Sequence, residues 1–346
     1  MAQRDTAASV VFGAFVDTYY AWDVNQPRNF DRAYTTQAAR HAEFNVNLAY
    51  LEAKLTAARY RGRLALQFGT SVQANYLGEP AIGRVSGASV SQYVQEATIG
   101  YAFSPTVWVD GGIFFAHTGY ESWISRDNLS YTRSLIAEFS PYYEAGVKVT
   151  WAPSRKVTAQ LDIVNGWQDI SSYNTPPAIG VRIDYAISPQ FSLSYDNFVG
   201  NVAADSLPVK LRVYNDFIAQ YNRASRWQFA AAVDVGSQSN STTRGGTATW
   251  YGGSVFAKYH SNQLVGVVAR VERYADPSQV IVQTRLPYAF KANGASFGVD
   301  VTPTPRFLWR TELRGFGSRD PVWPNHKEGG YSRHDLLGVT SMALTI

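Results

Sequence analysis

Five histidines and no cysteine set the chemistry open to this chain of 346 residues. Without cysteine there is no thiolate nucleophile, no disulfide framework and no thiolate metal site. His41, His117, His326 and His334 fall in expected loops or at strand ends, and His260 abuts a tight turn. None is spaced as a His-x-x-x-His ligand pair. A lipid-facing hydrolase needs a serine beside a histidine. His117 and Ser122 come nearest to that, but no Gly-x-Ser-x-Gly elbow surrounds Ser122. Asp23, Asp31 and Asp127 offer loop carboxylates without the regular spacing of a calcium loop. No phosphate loop or dinucleotide fingerprint is present. No catalytic, cofactor-binding or metal-binding set is expected, and the chain does not read as an enzyme.

The charged residues follow a different rule. They fall on one parity of alternating segments, opposite the apolar side chains. The cations on that parity include Arg63, Lys148, Arg182, Lys210, Arg212, Arg270, Arg310 and Arg314. The anions include Asp17, Glu96, Asp110, Glu144, Asp162, Asp184, Glu272 and Glu312. A cation facing lipid at mid-depth costs about 2–4 kcal/mol. Charge kept to one parity is what a water-filled lumen requires. Glu52 and Lys54 stand out, because they fall on the apolar parity, near a tight turn.

The elements that position these charges are strands. About sixteen period-two segments can be counted. Short turns such as Ser104-Pro105-Thr106, Ser188-Pro189-Gln190 and Ser261-Asn262-Gln263 alternate with longer loops. Aromatics are 14% of the chain and charged residues only 17%, against about 25% in soluble domains. Mean hydropathy is −0.21, and no run of about 18 apolar residues exists to make a transmembrane helix. In lipid, only helices and closed barrels satisfy every backbone group. The expected fold is all-β, a closed antiparallel transmembrane β-barrel of about 16 strands forming one domain over residues 1–346. Short periplasmic turns, long outer loops and periplasmic termini complete the pattern. Such a barrel is too wide for side chains to fill. Met1-Ala2-Gln3 is not a signal peptide, so a leader is expected to have been removed or replaced by an initiator methionine. The net charge of +4 is too small to indicate nucleic acid.

One stretch breaks the alternation. From Gly119 to Pro141, charge mixes with Trp123, Tyr131, Leu135, Ile136 and Phe139. Loops beyond about 12–15 residues are usually functional or disordered, and this one is too apolar to stay solvated. Residues 119–141 are expected to fold inward and narrow the channel, with a short helix within Ser130 to Phe139 stopped by Pro141. Glu121, Arg126, Asp127, Arg133 and Glu138 would then set size and charge selectivity, brace the loop on the wall, or both.

Four stretches, FGAFVDTYYAWDVNQP, TTQAARHAEFNVNLAYLEAKL, the organising loop with its flanks, and IVNGW, resemble the OmpL-like beta-barrel porins of Gram-negative bacteria. The resemblance extends over most of the chain and implies an outer-membrane porin, without naming a substrate. The expected function is passive diffusion of small hydrophilic solutes and ions. The expected partners are outer-membrane lipids, those solutes and a homo-oligomer such as a trimer. Alternatives are a sugar-type channel using Trp108, Tyr214 and Trp250 as a sliding surface, and a plugged structural or adhesive barrel.

Overall fold

In the computed structural model, residues 8–222, 226–241, 245–326 and 330–346 are described. The expected turn after Tyr221 and part of the loop from Ser237 to Thr247 lie outside them, as does the N-terminal tripeptide.

Sixteen antiparallel strands close into one barrel. In chain order they begin with β1 (Ser9–Asp23), β2 (Phe44–Thr56), β3 (Tyr60–Phe68), β4 (Val94–Ser104), β5 (Val107–Phe115) and β6 (Tyr143–Trp151). Next come β7 (Val157–Val164), β8 (Ala178–Ala186), β9 (Phe191–Asn201), β10 (Leu211–Asn222), β11 (Trp227–Gln238) and β12 (Ala248–His260). β13 (Val265–Asp276), β14 (Phe290–Thr304) and β15 (Phe307–Ser318) follow, and β18 (His334–Thr345) pairs with both β15 and β1 to close the ring. Two short strands, β16 (Trp323–Asn325) and β17 (Gly330–Ser332), form a separate hairpin in the last long loop. Closure pairs the backbone of every strand on both edges, which lipid demands.

Period two is visible in burial. Along β10, Arg212, Tyr214, Asp216 and Ile218 are buried while Leu211 and Phe217 are exposed. The exposed face is the lipid face. It carries Trp22, Tyr101, Phe103, Trp151 and Tyr185, aromatics of the kind that sit at membrane interfaces.

The structure corrects the sequence reading at three places. Between Asp17 and Thr18 the pairing of β1 with β2 skips Asn47, a bulge that reverses the parity of β2. Leu51 therefore faces out, and Glu52 and Lys54 face in beside Arg63. They obey the rule they were expected to break. Second, the alternation of Leu64, Leu66 and Phe68 continues in the sequence through Thr70 and Val72 and predicts a longer strand, but β3 stops at Phe68. Gly69, at φ +136°, turns the chain, and a Cβ there would meet the Asn47 carbonyl oxygen at 2.4 Å. The helix α1 (Thr70–Asn75) then folds inward and buries Val72. Third, after α2 (Ala88–Ser91), the helix expected within 130–139 is only α3 (Leu135–Glu138), one turn long.

The barrel interior is also less polar than the charge pattern alone suggests. Phe114, Phe198, Tyr214, Trp250 and Tyr274 point inward and form one apolar cluster with Leu135 and Ile136 of α3. A second cluster joins Phe15, Leu48, Val72, Tyr76, Trp123 and Tyr143.

One polar row on the inner wall is under stress. Asp196, Asp216 and Asp234 stand directly opposite one another on β9, β10 and β11. All three are buried. Arg182 approaches Asp196 at 3.4 Å, and Tyr214 donates to Asp234 at 2.6 Å. Asp216 stands between the other two. Like charges directly opposite in a sheet destabilise it.

Two outcomes test this architecture. Val147→Arg, on the lipid face of β6, is expected to impair membrane insertion by a cost of about 2–4 kcal/mol, whereas Thr150→Arg on the lumen parity is tolerated; equal folding yields on a heat-modifiability gel refute the register. Asp216→Asn is expected to raise the thermal unfolding midpoint, because it removes the middle charge of the row; a lowered midpoint refutes the repulsion.

Candidate functional site: the loop inside the barrel

The connection from Ala116 to Tyr142 cannot lie in a lumen without partners for its backbone. The wall supplies them from charged side chains. The Arg310 guanidinium donates to the carbonyl oxygens of Ser125 and Asn128 at 2.6 Å and of Ser130 at 3.2 Å. Arg270 donates to the Thr132 carbonyl at 2.5 Å and to its hydroxyl at 2.9 Å. Glu312 accepts the Thr132 backbone N–H and hydroxyl, both at 2.8 Å. Glu272 accepts the Leu135 N–H at 2.6 Å and is held by Arg314 at 2.7 Å. Two strands along the wall from β15, on β1, Asp17 accepts the Ser125 hydroxyl at 2.7 Å. Charge-assisted bonds of this kind are about twice as strong as neutral ones.

Apolar packing finishes the docking. Leu135 and Ile136 are buried against the β12–β13 side of the wall, and burying each such side chain contributes about 1.5–3 kcal/mol. Phe139 packs on Tyr274 at 4.7 Å between ring centres. Trp123 lies against Tyr76 and Tyr143, and its indole N–H donates to Ser71 of α1 at 2.9 Å.

The five loop charges singled out in the sequence divide into two groups. Glu121, Arg133 and Glu138 are buried or nearly so. Glu121 accepts the Ser134 N–H, and burial raises its pKa against the opposing pull of Arg270. Arg133 lies 3.7 Å over the Tyr142 ring and bonds Thr36. Glu138 accepts from Thr36 at 2.6 Å. These three brace the loop. Arg126 and Asp127, in a 3-10 turn over Ser125–Asp127, keep solvent access, although Arg126 also donates to the Pro305 and Arg306 carbonyls and to the Thr345 hydroxyl.

The wall charges divide in the same way. Arg212 lies against Trp167 and Gln238, and Arg270, Glu272, Arg310, Glu312 and Arg314 are occupied by the loop or by one another. Arg182 bridges Asp184 and Asp196. Lys210 stands just before β10 and is half-buried. The open space lies elsewhere. A cavity of about 250 Å³ is lined by Lys54, Arg61, Arg63, Glu96, Asp110 and Lys148, among others, on β2 to β6. A second, of about 470 Å³, is bounded by Arg32, Thr36, Gln73, Glu138 and Phe139.

Within the first cavity the two signs differ in access. Lys54, Arg61 and Arg63 are 50, 39 and 22% exposed at the side chain, against 11, 10 and 5% for Glu52, Glu96 and Asp110. Arg63 bridges Glu52 at 2.7 Å and also Glu96, while Arg61 pairs with Asp110 and lies 4.4 Å over Trp108. The carboxylates sit behind the cations. Glu52 and Lys54 were hidden from sequence reading by the bulge; the Arg61-x-Arg63 spacing was the visible signal. Of the three rings considered as a sliding surface, Tyr214 and Trp250 are fully buried under Trp167, Asp234 and Arg212, so they present no open face.

The Ser–His pairing does not form. The Ser122 oxygen accepts the Ile124 N–H, and His117 is engaged by Glu144 and the Asn197 carbonyl. The chain does hold one Gly-x-Ser-x-Gly, Gly294 to Gly298. It lies mid-strand in β14 with Ser296 between Arg270 and Arg314 in register. It is therefore not the strand-to-helix turn such an elbow needs.

Solved structures share this architecture. The anion-selective porin from Comamonas acidovorans is similar at a TM-score of 0.61 and 12% identity, covering 98% of this chain and 100% of its own. The outer membrane channel DcaP of Acinetobacter baumannii gives 0.64 and 10%, covering 98% and 97%. OmpF of Salmonella typhi, in complex with daunomycin, gives 0.61 and 11%, covering 97% of each chain. No functionally curated protein matches significantly. The sequence from residue 9 to 346 matches the family described as "Putative beta-barrel porin-2, OmpL-like". A closed sixteen-stranded barrel with a long loop bound inside it, in a chain matched along nearly its whole length, is an outer-membrane porin, and the chain belongs to this OmpL-like family.

Proposed function

We propose that residues 119–141 act as the constriction of this porin, and that small hydrophilic solutes and ions pass between the turn at Arg126 and Asp127 and the wall of β2 to β6. The observation that carries this reading is the unequal exposure of charge in the β2–β6 cavity. Cations present their heads to the space and carboxylates stand behind them, so anions are favoured. Paired carboxylates keep the preference weak, since each exposed cation but Lys148 has an anionic partner within salt-bridge distance. The Comamonas neighbour is itself described as anion-selective. The reading assigns no catalysis.

The short turns are assigned to the periplasm, which places both termini there. For the assembly we favour a homotrimer through the face of β1, β15 and β18. Thr18, Thr311 and Thr340 put hydroxyls on that lipid face, beside a groove shared with Tyr20, Phe44 and Met342. Hydroxyls facing hydrocarbon favour a protein neighbour.

A second reading is favoured by the apolar cluster that α3 makes with β10 to β13. It fills part of the lumen, as a plugged barrel would require.

Planar-bilayer recording separates the two. Stable steps with a reversal potential of anion-selective sign under a KCl gradient are expected, and Arg61→Gln with Arg63→Gln should move that potential towards the cation side. Silence from a folded, heat-modifiable barrel supports the plug. Arg310→Ala releases three loop carbonyls and is expected to give larger, noisier steps; an unchanged trace refutes the constriction role.

A further inference from the structure

His117 leads from β5 into the loop, and its ring is held in a built pocket. Its Nε2 lies 2.6 Å from the Asn197 carbonyl oxygen. A carbonyl only accepts, so Nε2 carries hydrogen and Nδ1 is the ring nitrogen turned to the carboxylates. Gly180 lies flat beneath it; a Cβ there would meet the ring at 2.1 Å. Nδ1 faces two carboxylates, Glu144 on β6 at 3.0 Å and Asp162 on β7 at 3.8 Å.

All three side chains are fully buried. One imidazole nitrogen cannot serve both carboxylates. Among the described residues no other cation lies within salt-bridge distance of either; Lys148, the nearest by register, sits 4.4 Å over the Phe114 ring. Glu144 Oε1 has no hydrogen-bond partner at all. Gln160 holds Asp162 through both oxygens, at 2.9 and 3.0 Å. Two buried carboxylates are thus aimed at one ring nitrogen, and one of their oxygens is unpaired.

We propose that His117, Glu144 and Asp162 form a site for a divalent transition metal of the zinc class, which fastens the root of the loop to the wall. The three ligand atoms lie within 4.8 Å of one another. Tetrahedral zinc with bonds of about 2.0–2.1 Å keeps its ligand atoms about 3.3 Å apart, and the two nitrogen–oxygen separations of 3.0 and 3.8 Å bracket that spacing. The bond from Nε2 to a backbone carbonyl and the amide of Gln160 are the outer contacts that orient metal-bound histidine and carboxylate. A divalent charge balances both carboxylates, which a proton on Nδ1 does not. Because the site is closed, the ion enters as the loop docks during folding.

The test is to fold the full chain with ZnCl2, strip free metal on a desalting column and measure zinc by mass spectrometry. About one zinc per heat-modifiable barrel is expected, with a raised thermal midpoint relative to barrels folded in EDTA. His117→Gln and Asp162→Asn should each lose the bound zinc and the zinc-dependent part of the midpoint. Asp162→Asn keeps the histidine and the side-chain volume, so it reads the site even where His117→Gln folds poorly. A folded wild-type barrel that retains no zinc overturns the proposal and assigns the gap to a shared proton. Equal retention by wild type and both variants overturns it as adventitious binding.

Discussion

A loop buried inside a barrel has to find partners for its own backbone, and this constraint shapes the interior. Arg270, Arg310, Glu272 and Glu312 satisfy backbone groups of Ser125, Asn128, Ser130, Thr132 and Leu135, and Arg314 holds Glu272 in place. A buried polar group left unpaired costs about 1–3 kcal/mol, so removing one of these partners leaves a loop carbonyl or N–H stranded. The same charges repel lipid and need a wet or polar face. Their two requirements coincide only on the inner wall.

Once the loop is pinned to the β13–β15 side, the rest of the lumen follows. Leu135 and Ile136 of the one-turn helix Leu135–Glu138 join one apolar cluster with Trp250, Tyr274 and Phe290. On the other side α1 and Trp123 fill the space above β2 and β3. A pocket remains along β2 to β6, and there the bulge at Asn47 brings Glu52 and Lys54 to the inside. In the proposed reading, charge selectivity rests on a few residues on one arc of the wall. The many charges seen on the lumen parity elsewhere serve as fasteners.

The likeness to other porins lies in architecture, at identities near a tenth. Architecture carries over because it rests on backbone closure and period two, which many sequences satisfy. Loop fasteners and the exposed cations are side-chain matters. They belong to this chain.

The number of strands, their parity and the alternation of short and long connections were written in the sequence by itself, because the lipid face allows no charge at mid-depth and the pleat alternates with period two. The long loop was also legible, from its mixed composition between two alternating flanks. Tertiary structure alone decided the rest. A single bulged residue inverted the facing of Glu52 and Lys54, since parity counts residues and cannot see where pairing slips. The end of β3 at Gly69 was invisible because Thr70 and Val72 continue the alternation while the turn depends on contact with Asn47 of β2. Which lumen charges meet water and which hold the loop depends on where 116–142 docks, a question of three-dimensional distance between residues more than a hundred positions apart.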